Sequence, residues 1–88
     1  MKPLILNVGN DSYVLVDKIL SIGGVSGNFN KNLIKIKKDE GKVIDYRQGK
    51  GAKSIVFLDN GYIVLSIIAA STLKKRLLLG EDKNEKEN

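Results

Sequence analysis

The chain contains no cysteine, no histidine and no tryptophan, and a single proline. Without cysteine there is no disulfide, no thiolate metal site and no thiol nucleophile. Without histidine the commonest general base, the usual zinc ligand and any serine–histidine relay are missing. The lack of cysteine is compatible with a reducing cytoplasm. No apolar run approaches the roughly 20 residues that a membrane helix needs. Met1-Lys2-Pro3 precedes only five mostly apolar residues, too few for a signal-peptide core. The expectation is a soluble, cytoplasmic protein with no membrane partner. Asp17, Asp45 and Asp59 could be imagined as catalytic carboxylates, but Asp59 belongs to a turn and no pair has a spacing suited to acid–base work. No enzyme, cofactor, metal or small-molecule substrate is expected. Aromatics are few (Tyr13, Phe29, Tyr46, Phe57 and Tyr62). That scarcity favours contact with a duplex backbone over the base stacking typical of single-strand binders.

What the chain does have is positive charge. Its 88 residues make one small domain, with an unfavourable ratio of surface to volume. Lysine and arginine number 15 against 10 acids, a net charge of +5. The last eight residues, Glu81 to Asn88, hold four acids and two lysines and so contribute −2. Residues 1–80 therefore carry 13 bases, 6 acids and a net +7. A polyanionic partner is one explanation, since released counterions drive such binding. Plain solubility is the other. The division is a domain over residues 1–80 and a charged tail over 81–88, expected to be disordered because it has no apolar residue.

Leu4 to Val8 is an apolar stretch that ends at the turn signal Gly9-Asn10-Asp11. Tyr13 to Val16 and Ile19 to Ile22 read as strand, with Asp17-Lys18 between them; Gly23-Gly24 and Gly27 then break the pattern. Lys42 to Tyr46 is another short strand. Ser54 to Leu58 and Tyr62 to Ser66 flank Asp59-Asn60-Gly61, and Asn-Gly is a strong hairpin signal. One helix is predicted from about Asn30 to Glu40, with Asn28 or Asn30 as N-cap and Gly41 just beyond its end. Its apolar face would be Phe29, Leu33 and Ile36, with Ile34 beside it, although Ile34-Lys35-Ile36-Lys37 also alternates like a strand. A second helix runs from about Ala70 to Leu79, with Leu73 and Leu77 on one face. The order is strand, strand, helix, strand, strand, strand, helix. Short connections favour a small antiparallel sheet with two short helices, an α+β fold.

Leu4-Ile5-Leu6 and Ile63-Val64-Leu65 do not alternate, so both faces of the sheet carry aliphatics. Two small helices do not easily cover both, and uncovered apolar patches usually mark interfaces. Homo-oligomerisation is the economical reading; a sheet that curls to bury both sides is the alternative.

The most informative segment for function is Arg47-Gln48-Gly49-Lys50-Gly51-Ala52-Lys53. It joins two strands and holds three cations and two glycines without an acid. Glycines let a backbone approach phosphate, and exposed N–H groups in such loops form anion-binding concavities. A solvated loop is the competing explanation. Gly49 to Ser54 superficially resembles a P-loop, but its spacing is wrong and a strand follows, so nucleotide hydrolysis is rejected. Lys31, Lys35, Lys37 and Lys38 lie around the first helix and Lys74-Lys75-Arg76 on the second; such groups are most often a solvated face.

Asn7-Val8-Gly9, Gly41-Lys42-Val43-Ile44-Asp45, the Gly49-Lys50 loop and Ile63-Val64-Leu65-Ser66 together resemble the RemA family of extracellular-matrix regulators, over about residues 4–77. The resemblance implies a fold similar to LytTR-type DNA-binding domains, a closed homo-oligomeric ring, and double-stranded DNA wrapped on its outside. It also implies activation of matrix or biofilm genes by a nucleoid-associated protein. Family DNA contacts are arginines at the positions of Lys18, Lys50 and Gly51. Charge is kept here at Lys18 and Lys50 and lost at Gly51, while Lys53 occupies another basic family position. With Arg47 these are the candidate DNA-binding residues, and Lys18, Lys50 and Lys53 are expected to form one patch per protomer. Lysine supplies a point charge without arginine's bidentate fork, which weakens base readout and keeps phosphate attraction. A divergent paralogue such as the RemB branch, an RNA-binding module and a protein-interaction module without DNA binding are the alternatives.

Overall fold

The computed structural model describes residues 4–79. The charged tail over 81–88 lies outside them. Nine segments follow one another: β1 (Ile5–Gly9), β2 (Ser12–Leu15), a 3-10 turn (Val16–Lys18), β3 (Ile19–Gly24), α1 (Asn28–Asp39), β4 (Val43–Asp45), β5 (Ser54–Leu58), β6 (Ile63–Ser66) and α2 (Ala70–Leu79). The fold is α+β as expected. The stretch from Leu4 is a strand in its own right, so three strands precede α1 rather than two, and β3 runs on through Gly23 and Gly24.

The single antiparallel sheet expected from the short connections is not what forms. β1 and β2 make a separate two-stranded hairpin, and the other strands make a four-stranded sheet in the order β3-β5-β6-β4. β3 and β6 pair with β5 antiparallel, but β4 pairs with β6 in parallel. The reason lies in α1. Its 12 residues span about 18 Å, enough to carry the chain over the sheet from the β3 edge to the β4 edge. β5 and β6, the strands encoded last, fill the middle.

Both turns show why their residues are there. In β1–β2, Asn10 and Asp11 both take positive φ, 52° and 59°, the mirror-image two-residue turn that matches strand twist. In β5–β6 only Gly61 goes positive, at φ 88°. Its N–H bonds the Leu58 carbonyl while the Leu58 N–H bonds Tyr62, a three-residue loop rather than a two-residue Asn-Gly turn.

The core has two halves, one on each face of the sheet. Leu6, Val8 and Val14 of the hairpin and Leu73 of α2 pack on Val56 and Val64. On the opposite face Ile55, Ile63 and Leu65 lie under Ile34 of α1. The aliphatics on both faces are thus covered within one chain. The sheet does not need a second copy for this; the hairpin covers one face as a lid rather than as an extension of it.

α1 is rotated away from the expected face. Its N-cap is Gly27, not Asn28 or Asn30. The Asn30 amide instead donates to the carbonyls of Gly24 and Ser26. That tie turns the half-buried residues Asn30, Leu33, Ile34 and Lys37 inward; of the expected face only Leu33 is kept, while Phe29 is 78% and Ile36 52% exposed. The C-terminus ends as predicted. Gly41 has φ 73°, and the N–H groups of Gly41 and Lys42 close on Lys38 and Lys37, satisfying orphan carbonyls.

Candidate nucleic-acid interface

The loop from Tyr46 to Lys53 crosses one end of the sheet, between β4 and β5. It is held at both ends and open in the middle. At its start Asn10, in the tip of the β1–β2 hairpin, donates its side-chain amide to the Tyr46 carbonyl. At its end the Lys53 N–H bonds the Ser66 carbonyl at 2.8 Å. Between them the Lys50 N–H closes a turn on Arg47 at 3.2 Å, with Gln48 and Gly49 at φ 55° and 83°. Gln48, Gly49, Lys50, Gly51 and Lys53 are exposed. A Cβ placed at Gly49 or Gly51 would meet nothing within 4 Å, so the backbone stands clear for a ligand to approach closely.

Arg47 is not a free cation. Asp45 Oδ1 accepts from the Arg47 N–H at 3.0 Å and from Nε at 2.8 Å, and Oδ2 accepts from a terminal guanidinium nitrogen at 2.7 Å. Paired carboxylate and guanidinium groups in this fork are strong, charge-assisted partners. The hydrogen bond from Arg47 holds the Asp45 carboxyl down to about 2 from an ordinary 3.8, while burial opposes the shift. The same bond raises Arg47. The charge left to the loop is that of Lys50 and Lys53.

Lys18 does not join them. β3 pairs with β5 so that Ile19 faces Leu58 and Gly24 faces Ser54. Lys18 therefore stands beside Asp59, whose N–H it accepts at 2.8 Å, and Lys53 precedes the other end of the strand. At about 3.3 Å per residue the two are roughly 20 Å apart. The single patch per protomer is corrected to two cation groups at opposite ends of the sheet. Lys42 belongs to the Lys18 end, since its ammonium lies against Gly61 of the β5–β6 turn. The sequence singled out no role for Lys42, and only the parallel β4–β6 pairing reveals its place. On α2, Arg76 donates to the Asn7 carbonyl at 2.8 Å, so part of that basic cluster is committed to holding the hairpin.

No group of three or more histidine, cysteine, aspartate or glutamate residues that could hold a metal occurs among the described residues. None of the described helices is long and apolar enough to cross a membrane.

The chain matches the model of a RemA-like family, described as extracellular matrix regulatory protein A-like, over residues 5–77. A protein of Oleidesulfovibrio alaskensis is 30% identical over 81 residues, covering 92% of this chain and 96% of its own. One from Leptospira biflexa is 37% identical over 78 residues, covering 89% and 83%. A third, from Coprothermobacter proteolyticus, is 32% identical over 72 residues, covering 82% and 69%. All three are named for a regulatory role.

Proposed function

The chain belongs to the RemA-like family of extracellular matrix regulatory proteins, and from that premise we propose that it is a regulator that binds duplex DNA as a homo-oligomer. The family and the regulatory names of its relatives support regulation rather than catalysis. The observation that carries DNA binding is the Lys50-Gly51-Ala52-Lys53 segment, exposed apart from a half-buried Ala52 and without an acid, at the edge of a domain bearing +7 over residues 1–80. Lys50 and Lys53 act as phosphate contacts, and the bare backbone at Gly51 lets the strand come close. Lys18 makes the contact at the other end. Arg47 contributes by shaping the loop rather than by its charge.

Assembly follows from this division. Two cation groups on opposite ends of one chain make a continuous track when copies meet head to tail, and a ring is the closed form of that arrangement. Each copy then presents a LytTR-like surface, and weak contacts add through effective concentration. Exposed Leu4, Leu20 and Leu78, at 83%, 70% and 73%, provide apolar surface for self-association. The targets are genes of the extracellular matrix.

The test is binding of purified protein to duplex DNA across a salt series. The expected result is a log–log dependence of affinity on salt that falls by about 1 in slope for Lys50→Glu, with oligomer mass unchanged. Wild-type protein that binds no duplex at low salt would overturn the reading.

A further inference from the structure

We propose that the outer flank of α1 is a second contact for the sugar–phosphate backbone of the duplex, carried by Lys31, Lys35 and Lys38. The proposal rests on the duplex-binding reading above and adds a surface to it. The three lysines follow the i, i+4, i+7 spacing that makes one stripe along a helix, at rises of about 6 and 10 Å from the first. All three are exposed. Among the described residues none of them lies within ion-pair distance of an acid, whereas their neighbour Lys37 pairs with Glu40 at 3.7 Å. Like charges at these spacings destabilise an isolated helix. A polyanion laid along the stripe turns that repulsion into attraction and releases its own counterions.

The packing of α1 fixes where the stripe points. Ile34 is the residue of α1 that packs against the core, and at about 100° per residue the three lysines stand some 40–100° around the helix from it, on one flank. Lys38 is close enough to Asp45 for its charge to help lower that carboxyl. α1 packs against β4, so the C-terminal end of the stripe lies on that side of the sheet.

The exposed apolar residues of α1 decide between partners. At about 100° per residue, Phe29 and Ile36 sit some 140° around the helix from the lysine stripe. An anionic bilayer would take cations and apolar side chains together on one face. Here they are on different flanks, which suits a phosphate backbone.

The experiment replaces the three lysines in the full chain, Lys31→Gln/Lys35→Gln/Lys38→Gln. Glutamine is nearly as good a helix former as lysine. The salt dependence of duplex binding should become shallower by about 2.7 per engaged protomer, and the thermal midpoint should hold or rise because the repulsion is gone. A triple variant that keeps the wild-type slope while Lys50→Glu lowers it overturns the helix contact alone. Loss of binding to phosphatidylglycerol vesicles with the duplex slope intact overturns it in favour of a membrane. A wild type with no salt-dependent duplex binding overturns both readings.

Discussion

Asp45 and Arg47 stand two residues apart at the end of β4, and their fork sets how the next loop presents its charge. The pair has a definite acid signature. Asp45 is depressed from 3.8 to about 2, so folding favours its ionised form. Its contribution to stability is fully present above the ordinary carboxylate range and is lost as pH falls through about 2. An acid titration of the side-chain carboxyl by NMR should give a midpoint well under that of an exposed aspartate, and Arg47→Ala should return it toward 3.8. A midpoint near 3.8 in the wild type would show the fork to be open. The pair was not legible in the sequence, where the acid sits outside the acid-free segment and Arg47 counts as one more cation. Lys50, Gly51 and Lys53 were legible, because an exposed basic loop needs no partner to define it.

Between elements, two buried hydroxyls do what no apolar pattern reveals. Ser54 and Ser66 are cross-strand partners on β5 and β6, and both are fully buried. Ser54 donates to the Ile68 carbonyl at 2.7 Å. Ser66 donates to the Val8 carbonyl at 2.7 Å and accepts the Ile68 N–H at 3.0 Å. The hairpin and the approach to α2 are thereby pinned to the sheet. Ser66→Ala should cost about 1–3 kcal/mol in denaturant unfolding, because buried backbone groups lose their partner. A change below about 0.5 kcal/mol would mean that the hairpin is held by packing alone. Strand and helix positions could be read from periodicity and turn residues, and α2 turns Leu73 and Leu77 inward as expected. The direction of β4 could not, since three residues carry no record of their partner. Nor could the rotation of α1, which is set by the distant carbonyls that Asn30 finds.

At the scale of the whole molecule, the covered sheet faces shift the case for assembly onto the surface. Apolar residues on both faces were visible in the sequence. That the hairpin covers one of them was not, because β1 and β2 look like further strands of the same sheet. Besides Phe29 and Ile36 of α1, the exposed apolar surface includes Leu4, Ile5 and Leu15 on and beside the hairpin, and a groove of about 510 Å³ between β3 and α2, where Leu20 and Leu78 line the wall. Light scattering of the wild type should give a mass several times the 9.7 kDa of one chain. Leu20→Lys/Leu78→Lys should lower it toward one chain without lowering the thermal midpoint. A wild type that is already a monomer would defeat the prediction. The strand order also bears on birth. A chain leaving the ribosome N-terminus first presents the two outermost strands of the sheet and the helix that joins them well before either central strand exists. At 5–20 residues per second this interval lasts about a second or more. The nascent protein then holds a finished hairpin and a sheet with borders and no interior, and it becomes a domain only when its last third arrives.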